Sequence, residues 1–348
     1  MKTMHTAIFD FSTKKLTLEN VPIPEPGPGE VLVRVKACGI CLSDVHLIDG
    51  SLPPPPLPRV TPGHESAGVI ERVGEHVPPA WKPGQRVLMP GGKPCGTCRN
   101  CMRGYISRCL APMVMGVNYN GAWAEYVVVP GAGLTEVPDH VPFEQAAILA
   151  DAVATPYAGL TDRAALRPAE SIGLWGIGGL GVHAVQIARM VGAVPIIALD
   201  PNEAARRRAL EFGADHALDP TAKGVEQEVW RLTSGRGLDV AVDLVGANRV
   251  LAQGDACLGR YGRLVMIGLS MEPIALGPGA VFGEQSHAMF GHLGYEPEHL
   301  DQLVKLVATG RLDVSRSVSE VMPLEQVARG VERLAKKEGN PIRLVVAP

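Results

Sequence analysis

Residues 171–192 read SIGLWGIGGLGVHAVQIARMVG and combine, in this order, a short apolar run, a glycine-rich turn and a helical pattern. The run SIGLW is typical of a buried strand, and GVHAVQIARMV repeats apolar residues at the spacing of an amphipathic helix. Four glycines occupy the turn: Gly176, Gly178, Gly179 and Gly181. Such a turn presents backbone N–H groups at the positive end of a helix dipole, so it can hold a pyrophosphate. The stretch therefore predicts a strand-turn-helix unit that binds a dinucleotide.

An acidic residue ends the next apolar run, VPIIAL. Asp200 lies 24 residues after Gly176, where a carboxylate can accept hydrogen bonds from an adenine ribose. The runs EAARRRALEFG, LDVAVDLVG and GRLVMIGLS continue the alternation of helix and strand, which indicates a doubly wound α/β domain with a parallel sheet. A doubly wound sheet that binds nothing remains the alternative interpretation.

The sequence up to about Ala150 has a different character. Runs such as EVLVRVKA alternate apolar and polar residues and are interrupted by stretches rich in proline and glycine, such as LPPPPLPRVTPG. This pattern predicts an irregular all-β domain. From about residue 294 the tail has two helical patterns, EHLDQLVKLVATG and LEQVARGVERLAKK, and a last strand, IRLVVAP. We expect two domains, which 348 residues suffice to build.

Composition excludes several classes of partner. The formal net charge is −3 with acidic and basic residues well mixed, so no broad field attracts nucleic acid or an anionic membrane. The first residues, MKTMHTAIFDF, lack the apolar run of a secretory signal, and no stretch has the length of apolar residues that spans a membrane. We therefore expect a soluble cytoplasmic protein with a small-molecule partner. In that compartment thiols stay reduced, and clustered cysteines bind metal more often than they form disulfides.

Four cysteines fall within one short stretch, CGTCRNCMRGYISRC, at Cys95, Cys98, Cys101 and Cys109. Four thiolates close a tetrahedral shell around one zinc ion and leave no position for a substrate, so we expect a structural zinc in a lobe at 90–112. A bacterial iron–sulfur run has a shorter gap before its fourth cysteine, followed by proline. A zinc ribbon that binds nucleic acid needs aromatic as well as basic neighbours, and this stretch has a single tyrosine.

A catalytic zinc needs fewer protein ligands and one open position, so its candidates lie elsewhere. Cys41 in CGICLSDVH, and the pair His64 and Glu65 in TPGHESAG, are mixed ligand types separated by a proline-rich loop. Taken alone, Cys38 and Cys41 could form a redox pair, although they follow a strand of the all-β half rather than a βαβ unit. His64 and Glu65 could equally form a surface ion pair.

The order of these motifs resembles the zinc-dependent medium-chain alcohol dehydrogenase family. The resemblance covers essentially the whole chain and includes GHESAGVIERVGE, GAWAEYVVVP and GIGGLG. It implies a GroES-like β-barrel catalytic domain, built from residues 1–150 and completed by a return segment at 294–348. A Rossmann domain at 151–293 lies between these segments. The family implies that a cleft between the two domains holds cofactor and substrate.

The resemblance assigns a role to each candidate ligand. It implies a catalytic zinc ligated by Cys41 and His64, with Glu65 beside the ion and able to ligate it, and with Asp151 as the remaining ligand. A cysteine often stands at that last position, so the aspartate is a departure, although a carboxylate is a legitimate zinc ligand. Asp44 matches the carboxylate that orients the ligating histidine; a simple helix cap is its alternative role.

Two further residues match the path by which the substrate proton leaves. Ser43 matches the hydroxyl of a proton relay and His46 its outer base, whose unperturbed pKa near 6.5 suits delivery of a proton to solvent. Without the family, Ser43 would be an ordinary cap and His46 a surface residue. Leu42 stands where a basic residue that contacts a cofactor phosphate is common in the family. We therefore expect the cofactor to leave faster than it does from members that have the basic residue.

The resemblance also implies contacts to the cofactor outside the glycine-rich turn, by Thr155, Leu180, Ile267, Leu269 and Arg343. Thr155 and Leu180 match residues around the nicotinamide, Ile267 offers its carbonyl to the carboxamide, and Arg343 matches a contact to the pyrophosphate. We expect NAD rather than NADP, because a 2′-phosphate would face the carboxylate of Asp200. The run RRR at 206–208 could in principle reach a phosphate, and we interpret it as a solvated helix face.

The expected reaction is reversible hydride transfer between NAD and a primary or secondary alcohol, or its aldehyde or ketone. Gly91 stands where a bulky aromatic is common and Trp123 matches an aromatic of the pocket wall, which favours medium or bulky substrates. A polyol dehydrogenase of the same family and a zinc-free enone or quinone reductase are the alternatives. We also expect two zinc ions per chain and a homo-oligomer, a dimer or a tetramer.

Overall fold

The computed structural model describes residues 2–105 and 108–348. Their backbone contacts divide the chain into two compact units. One, here named the discontinuous unit, comprises Met1–Ala152 and Glu296–Pro348, and the other, the parallel-sheet unit, comprises Val153–Tyr295. The changes from one unit to the other fall within two residues of the domain boundaries expected above.

Strands outnumber helices among the regular elements of the first segment of the discontinuous unit, as the alternating pattern predicts. Its strands are β1 (Thr3–Asp10), β2 (Lys15–Pro22), β3 (Glu30–Ile40), β4 (Arg59–Val60), β5 (Glu65–Val73), β6 (Arg86–Met89), β7 (Gly92–Lys93), β8 (Met113–Val114), β9 (Tyr126–Pro130) and β10 (Thr135–Glu136). Its α-helices are α1 (Leu42–Asp49) and α2 (Phe143–Ala147). Short 3₁₀ turns lie at Cys101–Arg103 and Ile148–Ala150.

The parallel-sheet unit alternates helices and strands. Its helices are α3 (Ala154–Ala158), α4 (Gly181–Val191), α5 (Glu203–Glu211), α6 (Val225–Leu232), α7 (Asn248–Cys257) and α8 (Gly279–Glu284). Its strands are β11 (Ile172–Trp175), β12 (Ile196–Leu199), β13 (His216–Leu218), β14 (Leu238–Asp243), β15 (Leu258–Met266) and β16 (Ala288–Gly291). A π-helical turn, Gly159–Arg163, continues α3.

The six strands of this unit pair in the order β13-β12-β11-β14-β15-β16, all in parallel. The chain therefore starts at β11, builds the sheet outward on one side, and returns to build the other side, which is the doubly wound Rossmann order. The predicted α/β fold is thereby confirmed. The carboxyl ends of β11, β12 and β14 meet where the winding direction changes, and the glycine-rich turn follows β11 at this point. Ligands bind open α/β sheets at such a position.

The return segment supplies the remaining elements of the discontinuous unit: α9 (Pro297–Ala308), β17 (Val318–Pro323), α10 (Val327–Ala335) and β18 (Arg343–Ala347). Strand β18 pairs with β3 on one side and with β17 on the other, so the end of the chain lies inside the main sheet of this unit, ordered β10-β6-β5-β3-β18-β17. Strand β3 also pairs with β9. The inward side chains of these strands form the core, in which Val31, Val33 and Leu344 have no exposed surface. The C-terminal strand is therefore part of the unit's core.

No helix among residues 2–105 and 108–348 combines the length and apolar character that crossing a membrane requires.

Candidate functional site

The discontinuous unit brings together the four side chains of the expected catalytic centre. Cys41, His64, Glu65 and Asp151 each offer a ligand atom, and these four atoms all lie within 4.8 Å of one another. The first three residues are buried and Asp151 is partly exposed. Cys41 and Asp151, 110 positions apart in the sequence, thus meet in one cluster that is buried except at Asp151.

Local structure explains how each of the four arrives there. Cys41 is the N-cap of α1, directly after β3, and His64 and Glu65 lead into β5. Strands β3 and β5 are antiparallel neighbours with Gly39 opposite Glu65, so the end of one strand faces the beginning of the other. Asp151 follows the 3₁₀ turn Ile148–Ala150, where the backbone leaves regular structure.

The distances fit a zinc ion. Cys41 Sγ lies 3.2 Å and His64 Nε2 lies 3.6 Å from Asp151 Oδ2. Typical zinc–sulfur, zinc–nitrogen and zinc–oxygen lengths place tetrahedral ligand atoms about 3.3–3.7 Å apart. Thiolate, imidazole and carboxylate are also the donor types that zinc takes. The residues present therefore fit a metal centre with a carboxylate in place of a second thiolate.

Asp44 has contacts that suit both of the roles considered for it. Its Oδ2 accepts a hydrogen bond from the Cys41 N–H at 2.9 Å, which caps α1, and its Oδ1 lies 3.4 Å from His64 Nδ1. The Gly63 N–H also donates to this carboxylate. Burial works against a charged His64 ring, but Asp44 and Asp151 outweigh it and raise the pKa of His64 well above its usual value. The carboxylate thus directs Nε2 of the ring toward the other ligand atoms.

Glu65 forms a fully buried ion pair on the side away from solvent. Its Oε1 lies 3.2 Å from Arg343 Nη2, and the Arg343 guanidinium also donates to the Ile40 carbonyl at 3.1 Å. Burial raises the pKa of Glu65 to about 8, an effect that Arg343 opposes. Gly39 provides the space, since a Cβ built there would lie 2.1 Å from Glu65 Oε2. The Arg343 side chain lies inside the discontinuous unit, and its expected contact to a pyrophosphate stays a prediction.

The expected proton path begins beside His64. Ser43 Oγ lies 3.3 Å from His64 Nε2, so its hydroxyl belongs to the ligand cluster rather than to a simple cap. His46, one turn further along α1, is partly exposed, and its Nδ1 lies 3.8 Å from Asp49 Oδ2. Leu42 is exposed. Ser43 lies in the first turn of α1 and His46 one turn further along it. The relay through these two residues stays a prediction.

The four cysteines of the lobe also converge. Their sulfur atoms form one ligand group, with Cys95 Sγ 4.0 Å and Cys98 Sγ 3.4 Å from Cys101 Sγ. Ligands of a tetrahedral Zn–S₄ site lie about 3.8 Å apart. Backbone N–H groups donate to the sulfurs of Cys95, Cys98 and Cys109, and those from Leu110 and Cys101 lower the pKa of Cys98 to about 6. The lobe thus fits a structural zinc.

In the parallel-sheet unit, the glycine-rich turn has the geometry that its glycines predict. Gly176 has φ of 92°, and a Cβ at Gly181 would lie 1.9 Å from the Gly176 carbonyl oxygen, so the helix can start this close to the strand only with glycine there. Gly178 has open space where a Cβ would be, and it is exposed. Leu180 is the N-cap of α4, and the Gly179 carbonyl accepts a hydrogen bond from His183 within this helix.

Asp200 lies at the end of β12 beside this turn. Its Oδ2 accepts a hydrogen bond from the Ile177 N–H and its Oδ1 accepts one from the Asn202 N–H, each at 2.8 Å. The interpretation of 206–208 as a solvated face is wrong for two of its three arginines. Arg206 donates to backbone carbonyls at the end of β12, and Arg208 is half-buried, whereas Arg207 alone is exposed.

Two of the residues expected around the nicotinamide are held by hydrogen bonds that sequence reasoning missed, one with a side chain and one with a backbone carbonyl. Thr155 and Ile267 are buried and Leu269 is exposed. His292 Nε2 lies 3.0 Å from the Thr155 carbonyl oxygen, and burial lowers the pKa of His292, so the ring is neutral at pH 7. The backbone of Asp243 accepts the N–H of Ile267 at 2.8 Å. No motif marks His292 or Asp243, because both act through backbone contacts.

One expectation about the substrate pocket is wrong. Trp123 has no exposed surface; it packs in the core of the discontinuous unit and its Nε1 lies 3.5 Å from the Gly39 carbonyl oxygen. It therefore cannot form the wall of an open pocket. Gly91 is partly exposed and its carbonyl accepts the Met115 N–H. The absence of a side chain at Gly91 thus remains the one pocket feature that the sequence indicated.

Comparison with known families agrees with both units. Residues 27–139 match the model of the alcohol dehydrogenase GroES-like domain, and residues 179–309 match that of the zinc-binding dehydrogenases.

Similar proteins extend the match to the full length. An NAD-dependent alcohol dehydrogenase of Sulfurisphaera tokodaii is 31% identical over 92% of this chain and 93% of its own. An L-threonine 3-dehydrogenase of Anaeromyxobacter dehalogenans is 32% identical over 90% of each chain. The solved structure of alcohol dehydrogenase TADH from Thermus sp. ATN1 is 30% identical, covers 99% of both chains and superposes with a TM-score of 0.90.

Proposed function

Because the chain belongs to the zinc-dependent medium-chain dehydrogenase/reductase family, we propose that it is an NAD-dependent zinc alcohol dehydrogenase. The reaction is reversible hydride transfer between NAD and a primary or secondary alcohol, or the corresponding aldehyde or ketone. The observation that carries the proposal is the mixed cluster of Cys41, His64, Glu65 and Asp151, with the Ser43 hydroxyl 3.3 Å from His64. A zinc-free enone or quinone reductase has no use for such a cluster.

Two zinc ions per chain belong to the proposal. Cys41, His64 and Asp151 would hold the catalytic ion with Glu65 near it, and the four cysteines of the lobe would hold the structural ion. When bound, the catalytic zinc acts as a Lewis acid that lowers the pKa of an alcohol and polarises a carbonyl. Elemental analysis of carefully prepared protein should find two zinc ions, and one or none would contradict the assignment.

A pair of matched substitutions separates the two sites. Cys98→Ser opens the lobe and should mainly lower the melting temperature, because a structural zinc contributes folding free energy. Cys41→Ser removes a ligand next to the reacting groups and should abolish turnover while the protein stays folded by circular dichroism. Equal loss of fold in both variants would show that the structural and catalytic roles are divided wrongly.

The chain's own residues position and move the proton. Asp44 keeps His64 oriented, and Ser43 offers a hydroxyl that can accept the substrate proton on one lone pair and donate its own onward. His46 is the partly exposed group one turn further along α1 that can release the proton to solvent. The proposed direction of proton flow is therefore from the ligand cluster along α1 to the surface.

The preference for NAD rests on Asp200. Its carboxylate is held in place by two backbone N–H groups and keeps free lone pairs for a ribose hydroxyl. A 2′-phosphate would bring about two negative charges against it, which supports a preference for NAD of roughly a hundredfold. Steady-state kinetics with both cofactors test this, and a higher catalytic efficiency with NADP would overturn it. Asp200→Gly should bring the catalytic efficiencies with NAD and with NADP closer together.

The substrate class is tested with a panel. Gly91 stands where the family often has a bulky aromatic, and the missing side chain supports medium or bulky alcohols and their carbonyls over ethanol. A similar protein is named as an L-threonine dehydrogenase, so hydroxy amino acids and polyols belong in the panel. Formation of reduced nicotinamide, followed by its absorbance, identifies the class. Activity confined to polyols would replace the proposed alcohol specificity.

The remaining parts of the proposal concern the protein's state in the cell. All seven cysteines of the sequence are free in the structure, as a cytoplasmic protein requires. We propose a homo-oligomer, a dimer or a tetramer, which light scattering coupled to gel filtration measures directly. A single monomeric peak at micromolar concentration would exclude it.

A further inference from the structure

Helix α5 carries three consecutive arginines, Arg206, Arg207 and Arg208, whose surroundings differ. Arg207 is exposed and its only described ion pair is with Glu203, one turn earlier, at 3.4 Å. Arg206 donates to the backbone carbonyls of Asp200 and Pro201 at 2.8 Å and lies 3.5 Å from Asp219. Arg208 is the arginine that points at the glycine-rich turn.

The contact of Arg208 is specific. Its Nη2 donates a hydrogen bond of 2.8 Å to the carbonyl of Ile177, the residue between the first two glycines of the turn. The N–H of the same Ile177 donates to Asp200 Oδ2, also at 2.8 Å. Both backbone polar groups of Ile177 are therefore hydrogen-bonded to side chains of opposite charge: Asp200 at the end of β12 and Arg208 on α5. The Ile177 side chain is fully buried, which restrains the residue further.

The two hydrogen bonds of Ile177 restrain the turn next to Gly178, where few other contacts hold it. Gly178 follows Ile177 directly, is exposed, and has no heavy atom within 4 Å of the position of a Cβ. Glycines have more conformational freedom than other residues, and a turn that must order itself on binding loses affinity through that entropy. A fixed Ile177 peptide sets the direction in which the following N–H groups point before any ligand arrives.

The half-buried position of Arg208 affects the charge on its guanidinium and the strength of its hydrogen bond. Burial lowers the pKa of Arg208, and the nearby carboxylates of Asp200 and Glu211 oppose that effect. The guanidinium remains charged because an arginine pKa lies far above neutral pH. A charged donor makes a stronger hydrogen bond to a carbonyl than a neutral one does. A half-buried charge aimed at a turn carbonyl is therefore a restraint that a surface arginine would not supply.

We propose that Arg208 is a positioning residue for the dinucleotide pyrophosphate, acting with Asp200 through the Ile177 backbone to hold the glycine-rich turn in its binding conformation. This inference rests on the proposed function, namely that this turn binds a dinucleotide. It assigns Arg208 no contact with the cofactor. Removal of the guanidinium should weaken cofactor binding and leave the rate at saturating cofactor unchanged.

The test uses Arg208→Met, which keeps the unbranched apolar stem, with Arg207→Met as the matched control on the same helix. Titration calorimetry with ADP-ribose measures binding to the turn without the nicotinamide, the metal or turnover. We expect Arg208→Met to bind ADP-ribose about ten-fold more weakly, the loss of one hydrogen bond from a charged donor. Arg207→Met should bind as the wild type does. In steady state, KM for NAD should rise by a similar factor with kcat unchanged.

Arg208→Lys distinguishes positioning from simple packing. It keeps a charged donor on a flexible stem, so it should recover part of the affinity that Arg208→Met loses, which a purely structural role would not produce. Equal affinities of Arg208→Met and the wild type, or an equal loss in Arg207→Met, would overturn the inference. Loss of melting temperature without loss of ADP-ribose affinity would overturn it as well. A wild-type protein that failed to bind ADP-ribose would instead overturn the proposed dinucleotide site, and this inference with it.

Discussion

Replacing Gly39 by alanine should damage the buried ion pair behind the mixed ligand cluster. A Cβ at this position would lie 2.1 Å from Glu65 Oε2 and 3.0 Å from its carboxyl carbon, far inside any normal contact. The carboxylate oxygen must therefore move by about 1.3 Å to reach the 3.4 Å at which ordinary contact begins. Neither Glu65 nor Arg343 has solvent beside it into which it could relax, since the two are 0% and 2% exposed.

The magnitude follows from the geometry of the pair. Glu65 Oε1 and Arg343 Nη2 are 3.2 Å apart. Above the Glu65 pKa of about 8, where the carboxylate is charged, lengthening this distance by the same 1.3 Å weakens the attraction by about 1.5 kcal/mol at an effective dielectric constant of about 20. Overpacking of a closed interior costs about 1–3 kcal/mol more. We therefore expect Gly39→Ala to destabilise the discontinuous unit by about 2.5–4.5 kcal/mol when Glu65 is charged.

Thermal melting of the wild type and the variant, at equal zinc content, measures this loss. Gly279→Ala is the matched control, because a Cβ there meets no heavy atom within 4 Å and its φ lies outside the left-handed region. The displaced carboxylate should also alter the metal environment, which the visible spectrum of the cobalt-substituted protein reports independently of turnover. A Gly39→Ala protein that melts with the wild type and has an unchanged cobalt spectrum would refute the reasoning.

Three further predictions address other parts of the molecule. After zinc removal, Cys98 should be alkylated faster than Cys101 at pH 7, because their pKa values are about 6 and about 12. The alkylation rate of Cys98 should fall as the pH drops through 6. Peptide mass spectrometry measures both rates, and faster alkylation of Cys101 would contradict the prediction. Ser43→Ala should lower kcat by about 10²–10⁴-fold with NAD binding nearly intact, and near-normal turnover would exclude the relay. His292→Leu should lose a hydrogen bond to the Thr155 carbonyl worth about 1 kcal/mol and weaken NADH binding a few-fold, as fluorescence titration measures; unchanged affinity would show that this contact positions nothing.

Much of the fold was predictable from local patterns. The glycine-rich turn between an apolar run and a helical pattern indicated β11 and α4, because only glycine permits the approach of Gly181 to the Gly176 carbonyl. The alternating and continuous apolar runs separated the two kinds of unit, because side-chain period reflects which faces of a strand are buried. The closely spaced cysteines of the lobe also indicated their shared site, since its ligands lie within one short loop.

The resemblance to a family, rather than spacing, brought distant residues together in the prediction. Cys41, His64 and Asp151 are too far apart in sequence for local reasoning to join them, and the structure unites them through the pairing of β3 with β5 and the turn before Asp151. The insertion of β18 beside β3 also places the Arg343 guanidinium on Glu65, a contact that the sequence did not indicate.

What the sequence by itself determined is the set of elements and the chemistry of each motif, because periodicity, glycine and ligand type act over a few residues. Tertiary structure alone decided which side of an element each charged side chain faces. Three consecutive arginines on α5 look alike in the sequence but have different surroundings. Arg206 donates to a backbone carbonyl at the end of β12, Arg207 is exposed, and Arg208 donates to the Ile177 carbonyl. The reason is physical: a helix turns by about 100° per residue, so consecutive side chains point in different directions, and the packing of α5 against the sheet determines which of them meets the turn.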